Sequence, residues 1–85
     1  MDSESLLRLA SIYGKSKNLR LNSVSTYMSG SGDVLARLSR GHDITTRRLR
    51  RFVQWFSDHW PADLPWPDDI PRPTPTAAID PQEAA

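Results

Sequence analysis

Residues 10–30, which read ASIYGKSKNLRLNSVSTYMSG, decide the fold of this 85-residue chain. Within the stretch, Gly14 is followed four residues later by Asn18 and six residues after that by Val24. Glycine lets two helices cross closely, and asparagine tolerates a left-handed backbone better than most residues. A buried aliphatic side chain such as Val24 then holds the second helix in place. The spacing therefore predicts a helix-turn-helix.

The apolar residues before Trp60 recur at the helical rather than the alternating period, so we expect an all-α fold without strand pairing. The expected helices lie near residues 3–16, 21–29, 33–40 and 45–59. The last has the clearest pattern, because one apolar stripe runs along it. That stripe consists of Leu49, Phe52, Val53 and Phe56.

Details of the helix ends and faces follow from local rules. Two interpretations of Gly14 stay open: it ends the first helix, or it lies inside that helix to permit close packing. Asp33 and Thr45 are the expected caps of the third and fourth helices. The inner face of the second helix is predicted to comprise Val24, Tyr27 and Met28.

The seven prolines all lie beyond Trp60, so the expected helix-turn-helix domain covers residues 1–60. Residues 61–70 include Leu64, Trp66 and Ile70, which predict a strap that docks on the domain. Residues 71–85 are rich in proline, threonine, alanine and acidic side chains, and this composition predicts a disordered acidic tail.

Composition also excludes several classes of protein. The chain has no cysteine, which excludes disulfides and thiolate metal sites and fits a reducing compartment. No apolar run is long enough for a membrane span, and the acidic start does not resemble a secretory signal. His42 and His59 are isolated, and no catalytic or phosphate-cradling motif is present. We expect a soluble, cytoplasmic, non-enzymatic protein without metal or cofactor.

Charge is distributed unevenly along the chain. Up to Trp60 there are ten basic against five acidic residues, whereas one arginine and five acidic residues follow. A basic domain with an acidic appendix suggests an anionic partner, with a tail that competes for the same surface. The alternative is a solvated surface that keeps a small domain in solution.

The stretch Val24-Ser-Thr-Tyr-Met-Ser-Gly30 resembles the recognition helix of Lac repressor-like and Cro-like regulators. The segment Trp55-Phe-Ser-Asp-His-Trp-Pro61 also resembles the end of the last helix in a group of short alphaproteobacterial proteins. The chain departs from the regulator pattern at two positions. Arg20 stands where a serine or threonine cap is usual, and Lys17 where a buried aliphatic residue is usual, so a distorted turn is an open alternative.

The motif implies that the second helix enters the major groove of duplex DNA. Its expected base-reading residues are Asn22, Ser23, Ser25 and Thr26. Expected phosphate contacts are Lys15, Lys17 and Arg20 around the turn, together with Arg47, Arg48, Arg50 and Arg51 on the last helix. One short helix buries little surface, so we expect a homodimer. We therefore expect a transcriptional regulator or a mobile-element control protein. No arginine lies on the second helix, which leaves a protein-binding regulator, such as an anti-activator or adaptor, as the alternative.

Both sets of polar residues also have a purely structural interpretation. The serines of the second helix would then only solvate it, and the four arginines would line the exposed face opposite the apolar stripe. The three tryptophans are expected in the core, although stacking platforms for single strands are the alternative.

Overall fold

The computed structural model describes residues 2–75, which form four helices and no strand. In chain order these are α1 (Ser3–Lys17), α2 (Leu21–Ser29), α3 (Val34–Ser39) and α4 (Thr46–His59). The all-α, four-helix prediction is confirmed, with each expected end within one residue of the observed one. None of the four helices is both long and apolar enough to cross a membrane.

The core lies between α1 and the other three helices, since α1 packs against α2, α3 and α4. The stripe of α4 is buried as predicted, and Phe56 is fully shielded from solvent. Its ring meets the Tyr13 ring edge-on, with the centroids 5.7 Å apart. Aromatic pairs in this arrangement stabilise the fold beyond the area they bury.

The helix ends settle the open interpretation of Gly14. Helix α1 continues through Gly14 to Lys17, and Asn18 then takes the left-handed conformation, with φ 57°. Thr45 caps α4 as predicted, because its hydroxyl accepts the backbone N–H of Arg48 at 3.2 Å. Asp33 precedes α3, but its side chain makes no capping bond, so that prediction is wrong.

Residues 61–70 dock on the helices, in agreement with the predicted strap. The indole N–H of Trp60 donates to the carbonyl of Leu64, and that of Trp66 donates to the carbonyl of Ile70. Ile70 is buried in the core, and the neighbouring Asp69 pairs with Arg8 of α1. The strap therefore contacts α1 through Arg8 and the C-terminal end of α4 through Trp60.

The docked segment extends further than the sequence predicts. The guanidinium of Arg72 donates to the carbonyl of Ser57 at 2.9 Å, and Ser57 Oγ donates to the carbonyl of Pro73. Gln54 reaches the carbonyl of Thr74 at 2.9 Å. Disorder from residue 71 is therefore wrong for residues 71–75, because α4 binds the carbonyls of Pro73 and Thr74 and the side chain of Arg72. The rest of the predicted tail lies outside the described residues.

Candidate nucleic-acid interface

The turn between α1 and α2 has the geometry that its three key residues predict. A Cβ atom added to Gly14 would lie 3.0 Å from the carbonyl oxygen of Leu19 and 3.3 Å from Val24 Cγ2. Only glycine fits this approach without displacing the turn. Asn18 supplies the left-handed residue, and Val24 is fully buried. The helix-turn-helix is therefore regular, although Lys17 and Arg20 depart from the usual pattern.

Ser25 does not face outward, so its predicted role as a base-reading residue is wrong. It is fully buried, and its hydroxyl donates to the carbonyl of Ser31 at 2.6 Å. The same oxygen accepts the backbone N–H groups of Val34 and Leu35, at 3.1 and 3.3 Å. Ser25 thus supplies the capping acceptor for α3 that Asp33 was expected to provide.

Tyr27 lies outside the core, in contrast to the sequence prediction. Its side chain is 60% exposed, and Leu21 on the same helix is 37% exposed. The buried residues of α2 are Val24, Ser25 and Met28. At 100° per residue, Tyr27 lies about 110° from the centre of that buried arc. Had the same angular rule been applied with Ser25 as a buried residue, the sequence would have placed Tyr27 on the surface.

The other predicted base-reading residues border the exposed side of α2. Asn22 and Thr26 are exposed, and Ser23 is half-buried. The Thr26 hydroxyl donates to the carbonyl of Asn22 at 3.0 Å, so its proton is used within the helix. A Cβ atom on Gly32 would lie 3.3 Å from the Thr26 hydroxyl, which places the loop after α2 beside this face.

The basic residues around the turn are all exposed. Lys15 and Lys17 occupy the last turn of α1, and Arg20 immediately precedes α2. No side-chain bond caps the start of α2. Three exposed cations therefore lie within the six residues that precede α2.

The four arginines of α4 are exposed and spread around one side of the helix. At 100° per residue they spread over an arc of about 160°. Arg48 lines a surface cleft of about 230 Å³ together with Arg37 and His42. Arg50 instead faces the groove that Arg72 and Pro73 border. Arg48 and Arg50 therefore border different surfaces, and Arg47 and Arg51 lie between them on the arc.

Electrostatics within the cleft are set partly by Asp33. A hydrogen bond from the Ser31 hydroxyl and the charge of Arg37 hold the pKa of Asp33 below its usual value. The Arg37 guanidinium lies 3.2 Å from the Asp33 carboxylate. Arg48 leans over the Phe52 ring, 5.3 Å from its centroid. Asp33 thus offsets the charge of Arg37, and Asp43 adds a second carboxylate to the lining that Arg48 shares.

The tryptophans pack with each other and with the core. Trp60 is buried, and its ring centroid lies 4.9 Å from that of Trp66. Trp55 is half-buried and stacks on His59. The core interpretation is thereby confirmed for Trp60, while the other two pack against the core from its edge.

Within residues 2–75, no three histidine or acidic side chains come together as metal ligands. The arrangement that the structure offers is an uncharged helix face beside exposed cations.

No family model matches the chain, and no curated protein or solved structure is significantly similar to it.

Proposed function

We propose that the chain is a cytoplasmic, non-enzymatic regulator that binds duplex DNA through α2. The observation that supports this proposal is the regular turn, in which Gly14, Asn18 and Val24 each occupy the role that the motif requires. An α-helix fits the major groove of B-form DNA, where every base pair presents a distinct pattern of donors and acceptors. Helix α2 is the recognition helix in this proposal.

The exposed cations supply the affinity. Lys15, Lys17 and Arg20 flank the recognition helix and are suited to phosphate contacts, which position a protein without reading its sequence. The arginines of α4 add a wider basic surface. Because the single nine-residue helix α2 covers little DNA, we expect a homodimer that binds two half-sites roughly 34 Å apart.

Fluorescence anisotropy with a random-sequence duplex, measured over a series of salt concentrations, tests the proposal. Each neutralised phosphate contributes about −0.9 to the slope of log affinity against log salt, and some four contacts give roughly −3 to −4. Lys17→Gln should reduce the magnitude of this slope by about 1, whereas the charge-conserving control Lys17→Arg should leave the slope unchanged. Absence of duplex binding at micromolar protein and about 50 mM salt would exclude the proposal.

A second candidate function is that of a regulator that binds another protein through the same helix. The specific observation that favours it is the exposure of Leu21 and Tyr27, because α2 carries no charge and aromatic residues often anchor protein interfaces. If this second candidate function is correct, the protein binds no duplex even at low salt, and Tyr27→Ala abolishes binding of the protein partner. The salt-dependent titration therefore separates the two candidates.

A further inference from the structure

We infer that α2 recognises A·T base pairs, with Asn22 bound to adenine and with Thr26 and Tyr27 packed on thymine methyl groups. This inference rests on the proposed function and names the class of DNA site. It starts from the composition of α2, which reads LNSVSTYMS and contains no charged residue. The exposed side of the helix offers one amide, hydroxyl groups and one aromatic ring.

The missing charges argue against recognition of G·C pairs. Arginine or lysine normally binds the two acceptors of guanine, and an acidic side chain normally accepts from cytosine. Helix α2 has neither type of residue. Its exposed amide belongs to Asn22, and an asparagine amide matches the paired donor and acceptor of adenine. Asn22 is the second residue of α2, at the helix end that usually contacts base edges.

Thr26 and Tyr27 supply the apolar half of the recognition. Since the Thr26 hydroxyl donates its proton to Asn22, Thr26 has its methyl group and oxygen lone pairs to offer DNA. Tyr27 adds an aromatic ring that is 60% exposed. Apolar side chains are the groups that contact the thymine methyl in the major groove.

The spacing of these residues suits neighbouring base pairs. Asn22 and Thr26 are one helical turn apart, which corresponds to a rise of about 6 Å. Base pairs stack about 3.4 Å apart, so the two side chains address pairs roughly two steps from each other. Ser23 and Tyr27 repeat this separation on the adjacent side of the helix. The half-site we infer is therefore a short run of A·T pairs.

Four duplexes of equal length test the inference by anisotropy at one salt concentration. The first contains every four-base arrangement of A and T, and the second replaces its thymine by uracil, which removes only the methyl group. The third replaces A·T pairs by G·C. The fourth uses inosine·cytosine pairs, which present the major-groove edge of G·C but lack the guanine amino group in the minor groove.

We expect the A·T duplex to bind about tenfold more tightly than the G·C and inosine·cytosine duplexes, and several-fold more tightly than the uracil duplex. Thr26→Ser keeps the hydroxyl and removes a methyl, so it should reduce the preference for thymine over uracil. Tyr27→Ala should reduce that preference further, whereas Tyr27→Phe should retain it. Asn22→Ala should weaken binding to the A·T duplex while leaving the thymine preference in place.

Three results would overturn the inference. Equal affinity for the A·T and inosine·cytosine duplexes would mean that the minor groove or DNA shape is recognised instead. Tighter binding of G·C, or equal binding of thymine and uracil duplexes, would contradict the roles of Asn22 or of Thr26 and Tyr27. In each case duplex binding itself would survive. Failure of all four duplexes to bind at low salt would instead reject the proposed function together with the inference.

Discussion

Helices α4 and α2 are held in the fold by different means. Helix α4 has 14 residues, begins at its own threonine cap and buries a continuous apolar stripe. Helix α2 has nine residues, lacks a side-chain cap and buries a serine beside Val24 and Met28. The serine hydroxyl binds the loop and helix that follow, so the surroundings of α2 compensate for its weak intrinsic pattern.

The stability of the domain is encoded mainly along α4, whereas the orientation of α2 depends on the turn before it and on α3 after it. Substitutions in α4 should therefore unfold the protein, and substitutions beneath α2 should change the recognition surface at a smaller cost in stability.

The largest effect expected from this comparison is that of Phe56→Ala. Phe56 is fully buried and contacts the rings of Tyr13, Trp55 and Trp60. Truncation of such an aromatic residue costs about 3–5 kcal/mol, which is most of the stability of a small domain. Urea titration followed by circular dichroism measures the loss. Arg51→Ala, on the exposed side of α4, is the control, and an unchanged Phe56→Ala midpoint would contradict the assigned core.

A smaller effect is expected for Ser25→Ala. The substitution leaves the backbone N–H groups of Val34 and Leu35 without their acceptor, and Leu35 is fully buried. An unsatisfied buried donor costs about 1–3 kcal/mol. Amide hydrogen exchange should accelerate at these two residues and remain slow in α4. Ser23→Ala serves as the control, and equal exchange in both variants would mean that Ser25 does not cap α3.

Ser57→Ala should cost less than Ser25→Ala, although both serines are buried. The partners of Ser57 are Arg72 and the carbonyl of Pro73, and Arg72 is exposed to water. Since water can replace these bonds, we expect a loss of about 0.5–1.5 kcal/mol. Backbone chemical shifts of residues 72–74 should move while those of α2 stay fixed. A loss equal to that of Ser25→Ala would remove the distinction between the two sites.

The smallest effect concerns the pH dependence of the pair between Arg8 and Asp69. The hydrogen bond from Arg8 lowers the pKa of Asp69. The pair therefore stabilises the fold above the ordinary aspartate pKa, and this contribution is lost as the pH falls through the depressed value. Both side chains are exposed, so the change in stability should be slight. Carboxyl chemical shifts should show the Asp69 midpoint rising in Arg8→Gln, with Asp33, which pairs with Arg37 instead, as the control.

Local rules were sufficient to predict the four helices, the Thr45 cap and the three positions of the turn. They failed where the partner of a side chain lies further along the chain. Asp33 fits the local rule for a cap, yet Ser25 takes that place from the preceding helix. The exposure of Tyr27 accompanies the burial of Ser25, since the two residues lie about 160° apart around α2.

The end of the strap was missed for a similar reason. Residues 71–75 lack the large apolar side chains that predict packing, and the carbonyls of Pro73 and Thr74 are instead bound by Ser57 and Gln54. No pattern within a proline-rich segment indicates that a distant helix will supply these groups. The predicted base-reading residues also differ in exposure, since Asn22 and Thr26 are exposed whereas Ser25 is buried.

The docked position of the strap also predicts a characteristic signal in circular dichroism. The indoles of Trp60 and Trp66 lie 4.9 Å apart with their planes at 64°, one on the end of α4 and the other on the strap. Electronic transitions of two chromophores held this close and at an angle couple as an exciton, which produces paired bands of opposite sign in circular dichroism. Undocking of the strap would remove this pair of bands while the helical ellipticity persists. Circular dichroism of an unlabelled sample therefore distinguishes undocking of the strap from unfolding of the helices.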